Sequence, residues 1–384
     1  MRSRQIAVYR EPEGLYIHVP FCHSKCYYCD FYSRRSVRHD EMTLYVDSVC
    51  RELTLRRNGK GPSFWRTIYI GGGTPSMLPL PEMKRLAALS CYNKERVEFT
   101  VEANPEDVTA DWVAEMKDYG VTRISMGAQS FDDRLLKSIG RRHTAKRSIE
   151  AIEILEKAGM DYSLDVIYGL PGQSVSDWQS TLSVLFDLHP GHFSAYLLSY
   201  EPGTRLYAGL TVGKYVEADE GTVLEMYGML CEAAARYGYR HYEISNFAIP
   251  GFEARHNNSY WEGIPYVGLG PGAHSYDGAA RGYNPSDIKG YIELLSKGIL
   301  PFIREEESVS ERINDKLITA LRTDRGLLMS ELEDISPDIS NRLEHIIKKS
   351  ITAGNLSMST DGHIFIPEQK WIVSDCILRE LIVV

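Results

Sequence analysis

Six short apolar segments recur in the first 200 residues, and each is followed by a turn and then by a helical pattern. The segments are LYIHVPF (15–21), TIYIGGG (67–73), VEFTVEANP (97–105), RISMGAQS (123–130), DYSLDVIYGLP (161–171) and HFSAYLLSY (192–200). Their continuous apolar runs, without strict alternation, are typical of parallel strands that are covered on both faces. The repeated order of strand, turn and helix predicts consecutive βα units with right-handed crossovers.

Six such units are fewer than the eight of a closed barrel, so we expect a partial (β/α)6 TIM-like barrel of the α/β class. In barrels of this kind the chemistry lies at the carboxyl ends of the strands. Unusual residues follow the predicted strands at that end, namely Cys22 and its successors, residues 71–74, Glu102, Gln129 and residues 165–169. The sequence therefore predicts one site at the carboxyl edge of the sheet.

The strand and helix rhythm stops after Tyr200. Residues 216–239 have a helical pattern, a region rich in glycine and aromatic residues follows, and amphipathic helices begin near residue 300. The stretch LSMSTDGHIFIPEQKW predicts a β-hairpin around Asp361 and Gly362. We therefore predict three parts, which are a partial barrel in residues 1–240, a connecting region in residues 241–298, and a winged-helix-like α+β domain in residues 299–384.

Composition and charge narrow the class of protein. The chain has 384 residues, of which 43% are hydrophobic and 25% charged, as in a globular protein. Its net charge of −9 argues against a general binder of nucleic acid or of anionic membranes. The opening MRSRQIAVYREPEG has no apolar signal core, and no run approaches the roughly 18 apolar residues of a transmembrane helix. We expect a cytoplasmic protein with buried, reduced thiols at the scattered cysteines Cys50, Cys91, Cys231 and Cys376.

Three further cysteines, Cys22, Cys26 and Cys29, follow the first predicted strand with the spacing C-x3-C-x2-C. Thiolates this close on one loop can converge on one metal centre, but three are one short of a closed tetrahedral site. An iron–sulfur cluster with one open iron, a zinc site completed by His18 or His23, and a redox pair are all compatible with the sequence. The spacing favours the cluster, because neither histidine stands at the spacing of a second ligand pair and a redox pair leaves one cysteine idle.

This spacing, with Tyr28 before the third cysteine, resembles the signature of the radical S-adenosylmethionine (radical SAM) superfamily. In that superfamily three cysteines hold a [4Fe-4S] cluster, and the amino and carboxylate groups of S-adenosylmethionine chelate the fourth iron. Reductive cleavage of the sulfonium then gives a 5′-deoxyadenosyl radical. The resemblance implies that Cys22, Cys26 and Cys29 bind a [4Fe-4S] cluster and that S-adenosylmethionine is a second cofactor.

The resemblance extends to a narrower family within this superfamily. The segments YIHVPFC, CDF, GGGTP, EANP, GAQSF, GRRH, DVIYGLPGQ and YEISNFA resemble the family that contains oxygen-independent coproporphyrinogen III oxidase and the heme chaperone HemW. The match runs from about Leu15 to the final hairpin, which implies a C-terminal domain of the HemN type. By this resemblance the S-adenosylmethionine site is lined by Tyr16, Tyr28, Gly72, Gly73, Thr74, Glu102, Gln129, Arg141, Asp165 and Ser199.

Two features point to the chaperone branch of this family. The oxidase pattern has a fourth cysteine two residues after the third, where this chain has Phe31. The stretch HNNSYW (256–261) resembles the chaperone motif H-N-x-x-Y-W, whose histidine contributes to heme binding. From the residues alone, His256 beside aromatic side chains is either an axial imidazole or a hydrogen-bonded loop histidine packed on aromatics. His274 is a second candidate ligand.

The sequence therefore predicts a heme chaperone on a radical SAM scaffold. It would hold the cluster, S-adenosylmethionine and, through His256, heme, and it would pass heme to an apo-hemoprotein acceptor. We expect an electron donor, no nucleic-acid partner and no integral membrane segment. The alternative is coproporphyrinogen III oxidase, which converts two propionates to vinyl groups and is disfavoured by Phe31. A barrel stapled by zinc, without radical chemistry, is the third possibility.

Overall fold

A parallel sheet forms the centre of the computed structural model, which describes residues 12–35, 37–58, 64–89 and 97–383. Its first six strands are β1 (Gly14–Val19), β2 (Thr67–Gly72), β3 (Glu98–Ala103), β4 (Arg123–Gln129), β5 (Asp161–Tyr168) and β6 (His192–Leu197). Each strand pairs in parallel with the next along the chain. The prediction of a partial, six-stranded α/β barrel is therefore confirmed.

Helices follow these strands, as the sequence pattern predicts. They are α1 (His39–Arg57), α2 (Leu80–Ala88), α3 (Ala110–Asp118), α4 (Asp133–Ser138), α5 (Ala145–Lys157), α6 (Val175–Leu188), α7 (Arg205–Thr211) and α8 (Glu220–Arg236). Side-chain oxygens accept hydrogen bonds from first-turn amides at the caps Thr109, Asp132, Thr144, Ser174, Thr204 and Asp219. Such caps satisfy amides that have no partner inside the helix and so define where each helix begins.

The hydrophobic core lies between the sheet and the helices. Strand side chains with no exposed surface include Ile17, Ile70, Phe99, Ile124 and Leu164. Burying each large apolar side chain stabilises the fold by roughly 1.5–3 kcal/mol. Trp178 of α6 is also buried, and its indole N–H donates to the carbonyl of Met226 in α8 at 2.9 Å. This hydrogen bond ties two neighbouring helices without leaving a buried polar group unsatisfied.

Six further strands extend the sheet at both edges. They are β7 (Arg240–Glu243), β8 (Asn246–Ala248), β9 (Tyr266–Leu269), β10 (His274–Tyr276), β11 (Ala280–Tyr283) and β12 (Ile303–Glu306). The full order is β12-β11-β10-β9-β1-β2-β3-β4-β5-β6-β8-β7, in which β9 is parallel to β1 and β8 is antiparallel to β6. The region rich in glycine and aromatic residues thus continues the barrel sheet, and the predicted division at residues 240 and 298 stays a prediction.

Helices and a hairpin complete the chain. They are α9 (Arg255–Trp261), α10 (Ile288–Ser296), α11 (Val309–Ala320), α12 (Met329–Glu333), α13 (Pro337–Thr352), β13 (Ser357–Met358), β14 (Ile364–Phe365) and α14 (Ser374–Arg379). The predicted hairpin is present, because β13 and β14 pair antiparallel around Asp361 and Gly362. Gly362 has φ +88°, a backbone conformation that glycine adopts without steric cost.

The isolated cysteines differ in exposure. Cys50 and Cys231 are partly buried free thiols, whereas Cys376 is exposed, so the prediction of a buried thiol is wrong at Cys376. Cys376 lies in α14 near the end of the chain, where the helix presents it to solvent. Cys91 and the opening residues 1–11 lie outside the described residues. Within the ranges that the structure describes, no helix has both the length and the apolar character needed to cross a membrane.

Candidate functional site

The clustered cysteines lie on a loop that follows β1. The amide of Cys22 donates to the carbonyl of Arg34 at 3.0 Å, which closes the base of the loop. The amide of Tyr27 donates to the carbonyl of Ile139, just after α4, at 2.9 Å. These backbone bonds hold the loop at both its base and its middle, so its cysteines are presented in a fixed arrangement.

One cavity of about 480 Å³ begins at the carboxyl ends of the strands and reaches into the barrel. Cys22, Cys26 and Cys29 all line this cavity. So do most residues predicted for S-adenosylmethionine, namely Tyr28, Gly72, Gly73, Thr74, Glu102, Gln129, Arg141, Asp165 and Ser199. Tyr16 is not among the lining residues, and its hydroxyl lies 2.9 Å from Nδ1 of His18. The fold brings the predicted residues together, and the binding of S-adenosylmethionine by them stays a prediction.

Burial controls the charge of the cysteine thiols. Burial raises the pKa of Cys22, and it raises the pKa of Cys29 to about 11. The hydroxyl of Thr74 donates to Sγ of Cys22 at 3.6 Å, and the guanidinium of Arg141 donates to Sγ of Cys26 at 3.5 Å. A cation bound by these sulfur atoms would favour their thiolate form and offset the effect of burial.

Arg141 is oriented by neutral oxygen atoms and keeps one donor free. Its Nη2 donates to the carbonyl of Gly127 at 2.7 Å and to Oδ1 of Asn104 at 2.9 Å. Its Nε is buried and has no hydrogen-bond partner among the residues that the structure describes. A buried charged donor without an acceptor favours an anionic ligand in the cavity, since the unpaired state is costly.

The glycine stretch predicted at the end of β2 packs against the cysteine loop. Gly72 has φ +109°, and its amide donates to Oε2 of Glu102 at 2.9 Å. A Cβ atom added at Gly73 would lie 2.5 Å from the carbonyl oxygen of Phe21. Glycine is therefore required here by the close approach of loop backbone as well as by the shape of the cavity.

Two carboxyl groups face the cavity from β3 and β5, the strands on either side of β4. Burial raises the pKa of Glu102 to about 7, although hydrogen bonds from Tyr69 and the Gly72 amide oppose this rise. Burial also raises the pKa of Asp165 to about 6, and a hydrogen bond with Ser194 acts in the opposite direction. Both groups can therefore hold a proton near neutral pH.

Gln129 and Ser199 complete the rim at the ends of β4 and β6. Gln129 has φ +63°, a left-handed conformation that is uncommon for residues other than glycine, and β4 has an irregular register there. This local irregularity accompanies a side chain that lines the cavity, as is common at functional sites. The hydroxyl of Ser199 donates to the carboxylate of Glu201.

His256 is buried and bonded through both ring nitrogens. Nδ1 lies 2.9 Å from Oγ1 of Thr67 and Nε2 lies 2.7 Å from the hydroxyl of Tyr260. The ring also stacks on Tyr69 with centroids 5.1 Å apart, and burial lowers the pKa of His256 to about 3. In this conformation His256 offers no free nitrogen to an iron atom, and its predicted heme role stays a prediction. His274, in contrast, is exposed and stacks on Tyr283 with centroids 5.6 Å apart.

Sequence reasoning missed several residues of the cavity wall, among them Arg123 and His192. Arg123 and His192 begin β4 and β6, and both line the cavity. Nη2 of Arg123 and Nδ1 of His192 are buried without a partner in the described part of the chain. Each of these two residues is charged or polar and stands at the start of an otherwise apolar strand. From sequence alone, such a residue is interpreted as marking the end of a strand, so this signal did not point to the cavity.

A family profile and a solved structure both agree with this architecture. The profile of the Radical SAM superfamily matches residues 16–185. Coproporphyrinogen III oxidase (HemN) from Escherichia coli, described as a Radical SAM enzyme, superposes with a TM-score of 0.83. The superposition covers 97% of this chain and 91% of that structure, at 20% sequence identity. At this identity the likeness establishes the fold alone.

Sequence relatives identify the family more narrowly. Heme chaperone HemW of Bacillus subtilis (strain 168) is 34% identical over 323 residues, which cover 82% of this chain and 84% of the relative. Heme chaperone HemW of Escherichia coli (strain K12) is 36% identical over 270 residues, which cover 68% of this chain and 70% of the relative. The chain therefore belongs to the HemW family of the Radical SAM superfamily.

Proposed function

We propose that this chain is a heme chaperone that uses a radical SAM barrel. The observation that carries the proposal is the 34% identity, over 82% of the chain, to a relative named heme chaperone HemW. Membership of the Radical SAM superfamily implies a [4Fe-4S] cluster and S-adenosylmethionine as cofactors. The acceptor of heme is an apo-hemoprotein, and reduction of the cluster requires an electron donor.

Cys22, Cys26 and Cys29 hold the cluster in this proposal. They share one cavity and one loop, and burial disfavours the thiolate of Cys22 and Cys29 unless a cation is bound nearby. When bound, the cluster supplies the electron for reductive cleavage of S-adenosylmethionine. The protein residues around it orient that cofactor and limit its contact with water.

Arg141 and Glu102 are the side chains best placed to bind S-adenosylmethionine. The free Nε–H of Arg141 would donate to the carboxylate of the methionine moiety, which relieves the unpaired buried donor. Glu102 is fixed by the Tyr69 hydroxyl at 2.9 Å and by the Gly72 amide at 2.9 Å. A carboxylate held in this way is suited to a cationic group such as the methionine ammonium.

For heme, we assign His256 a positioning role and His274 the axial role. His256 links α9 to β2 through Thr67, so it holds the aromatic end of α9 in place. His274 is exposed and lies on β10 two residues from Tyr276, so both side chains share one face of the strand. Tyr276 lines a cavity of about 730 Å³, and His274 is not among the residues that line it.

The lining of this second cavity offers aromatic surface to a flat macrocycle and carries charged side chains of both signs. Tyr260, Trp261 and Tyr276 supply aromatic surface. Arg281 is already paired with Glu307 and Asp315, so Arg312 is the arginine of this cavity that is better placed to meet a propionate. The lining also holds six acidic side chains, which are Glu243, Glu262, Glu307, Asp315, Glu331 and Asp334. This cavity lies beside α9, so residues of the motif HNNSYW border a space large enough for a ligand.

Oxygen-independent coproporphyrinogen III oxidation is the second candidate function. The observation that favours it is the structural likeness to the oxidase, with a TM-score of 0.83 over 97% of this chain. Phe31 counts against it, because the family resemblance places the fourth cysteine of the oxidase at this position. The side chain of Phe31 is 62% exposed and lines the cavity near the cysteines.

One anaerobic preparation, reconstituted with iron and sulfide, separates the two functions. We expect hemin titration to give a saturable Soret shift, and the bound heme to transfer to an added apo-hemoprotein. Incubation with coproporphyrinogen III, S-adenosylmethionine and a reductant is expected to give no protoporphyrinogen. A titration without saturation contradicts the chaperone function, and catalytic formation of protoporphyrinogen establishes the oxidase in its place.

Histidine variants of the same preparation locate the heme. We expect His274→Ala to change the Soret spectrum and weaken hemin binding, whereas His345→Ala, at an exposed position of α13, leaves both unchanged. A spectrum that is unaffected in His274→Ala but lost in a folded His256→Ala protein would show that His256 is the ligand.

A further inference from the structure

Three potential metal ligands meet where the last segment of the chain packs on the barrel. Cys231 lies in α8, His241 lies in β7, and Glu368 begins the short 3-10 helix Glu368–Val373. The Cys231 sulfur, a ring nitrogen of His241 and a carboxylate oxygen of Glu368 all lie within 4.8 Å of one another. The tertiary fold therefore brings three types of metal ligand together from separate parts of the sequence. None of the three belongs to the loop that carries the clustered cysteines.

The imidazole of His241 is held in one orientation by aromatic neighbours. It stacks on Phe247 with centroids 3.9 Å apart, and the edge of Trp371 packs against it at 4.5 Å. Its Nε2 lies 3.4 Å from the carbonyl oxygen of Ile244, while its Nδ1 lies 3.0 Å from Oε1 of Glu368. Metal-ligating histidines commonly donate their second ring N–H to a carbonyl in this way, which fixes the tautomer.

The contact between His241 and Glu368 can hold either a proton on Nδ1 of His241 or a cation bound between the two groups. When Nε2–H donates to the Ile244 carbonyl, Nδ1 directs a lone pair at the carboxylate, 3.0 Å away. A proton on Nδ1 or a cation bound by both groups removes this repulsion. The thiol of Cys231 then completes a set of thiolate, imidazole and carboxylate.

The environment of Cys231 also favours a cation. Cys231 is a partly buried free thiol, and the carboxylate of Glu368 lies within 4.8 Å of its sulfur. The hydroxyl of Tyr227 donates to the carbonyl of Glu368 at 2.8 Å and so fixes the start of the 3-10 helix beside the thiol. A divalent ion offsets the negative charge of Glu368 and favours the thiolate, whose proton is released to solvent.

We propose that Cys231, His241 and Glu368 bind a divalent transition-metal ion of the zinc class, with water at the remaining position. One sulfur, one nitrogen and one oxygen ligand suit Zn²⁺ or Co²⁺ and are a poor set for Mg²⁺ or Ca²⁺. Glu368 belongs to the C-terminal segment, whereas the other two ligands belong to the barrel. The bound ion therefore links the C-terminal segment to the barrel. This site is independent of the proposed heme function and of the cluster.

Cobalt(II) absorption tests the site in the full chain. Cys22, Cys26 and Cys29 are first replaced by alanine, so that the cluster thiolates do not compete for the ion. We expect one equivalent of Co²⁺ to bind with the visible bands of a tetrahedral site and a sulfur-to-cobalt charge-transfer band, and Zn²⁺ to displace it. Cys231→Ser is expected to remove the charge-transfer band, whereas Cys376→Ser, which changes an exposed thiol, leaves it intact.

A conservative change at the carboxylate provides the second measurement. We expect Glu368→Gln to raise the Kd for Co²⁺ by at least the roughly 10- to 100-fold that loss of an outer-shell partner costs. Glu380→Gln, at an exposed position of the same C-terminal segment, is the matched control. In the otherwise unmodified chain carrying its cluster, metal analysis is expected to find one zinc that is lost in Glu368→Gln.

Two results would overturn the proposal. The first is a protein without Cys22, Cys26 and Cys29 that shows no charge-transfer band, or a band that persists in Cys231→Ser. The second is an unchanged Kd in Glu368→Gln, which decides the question even if Cys231→Ser fails to fold. In either case the contact between His241 and Glu368 is a hydrogen bond that joins the two parts of the chain without a metal.

Discussion

Glu102 and Asp165 are buried carboxyl groups that keep their protons to a higher pH in the folded chain than in the unfolded chain. Burial raises the pKa of Glu102 from an ordinary 4.5 to about 7, and that of Asp165 from 3.8 to about 6. Between these values the folded chain binds protons that the unfolded chain has released. The contribution of these groups to stability is therefore complete at low pH and is lost as the pH rises through the folded-state pKa.

Replacing Glu102 by glutamine should remove part of this pH dependence. One pKa unit corresponds to about 1.4 kcal/mol. Between pH 4.5 and 7 we therefore expect the free energy of unfolding to fall further in the wild type than in Glu102→Gln, by up to about 3 kcal/mol. Urea unfolding of the cofactor-free protein at several pH values measures the difference. Glu217→Gln, at an exposed position, is the control, and parallel curves for wild type and Glu102→Gln contradict the prediction.

Arg141 and Arg142 form a natural pair for testing the cofactor site. Both line the cavity, but Arg141 has a buried Nε without a partner in the described part of the chain, whereas Arg142 is exposed. Arg141→Lys keeps the charge but loses the Nε donor, so we expect the Kd for S-adenosylmethionine to rise by about 10- to 100-fold, as for a hydrogen bond to a charged group. Anaerobic equilibrium binding measures this value, and Arg142→Lys is expected to leave it nearly unchanged. Equal effects in the two variants would mean that only net charge matters.

Single residues show what the sequence could and could not predict about the cavity. The strand-end side chains were predictable because parallel strands bring their carboxyl ends to one edge. The close approach of Phe21 to Gly73 was not, because it depends on how the cysteine loop folds back over β2. The hydrogen bond between His256 and Thr67 was not predictable either, because the two residues are 189 positions apart in the sequence.

At the scale of elements, strand prediction worked where the apolar runs were long. The first six strands span six to eight residues each, and their continuous apolar pattern made them recognisable. Strands β7 to β12 span only three or four residues each and contain glycine, charged or other polar residues. Some of them pair with their neighbours in sequence, as β7 does with β8. Their attachment to the barrel depends on distant partners, as in the pairing of β9 with β1 and of β8 with β6, so local pattern could not reveal it.

The anchoring of α9 to β2 by His256 gives a prediction at this scale. His256→Ala removes two hydrogen-bond partners and leaves a void beside Tyr69, so we expect a loss of about 2–4 kcal/mol in the free energy of unfolding. Chemical denaturation followed by circular dichroism measures this loss. His345→Ala, at an exposed helical position, is expected to cost little. A loss in His256→Ala as small as that of the control would show that α9 is anchored by other contacts.

At the scale of the whole molecule, the C-terminal segment is joined to the barrel by backbone as well as side chains. The amide of Ile244 donates to the carbonyl of Arg322 at 3.0 Å, and the amide of Asp324 donates to the carbonyl of Tyr242 at 3.1 Å. These bonds connect β7 and its turn to the segment that follows α11. The sequence predicted a separate C-terminal α+β domain, but it held no signal for this junction, because the partners are about 80 residues apart.

Two side chains at this junction differ in what they contribute to stability. Trp371 is 3% exposed, donates its indole N–H to the Ile366 carbonyl at 2.7 Å and packs against His241. Arg240 forms an ion pair with Asp324, but its side chain is 54% exposed to solvent. Exposed ion pairs contribute about 0.2–1 kcal/mol, whereas truncation of a buried tryptophan costs about 3–5 kcal/mol.

We therefore expect Trp371→Ala to lower the free energy of unfolding by several times more than Arg240→Gln does. Urea denaturation of both variants, followed by far-ultraviolet circular dichroism at two salt concentrations, tests the expectation. The small effect of Arg240→Gln should shrink further at high salt, because exposed charges are screened, while the effect of Trp371→Ala should not. Equal losses, or a salt-sensitive loss in Trp371→Ala, would mean that electrostatic contacts rather than apolar packing hold the C-terminal segment on the barrel.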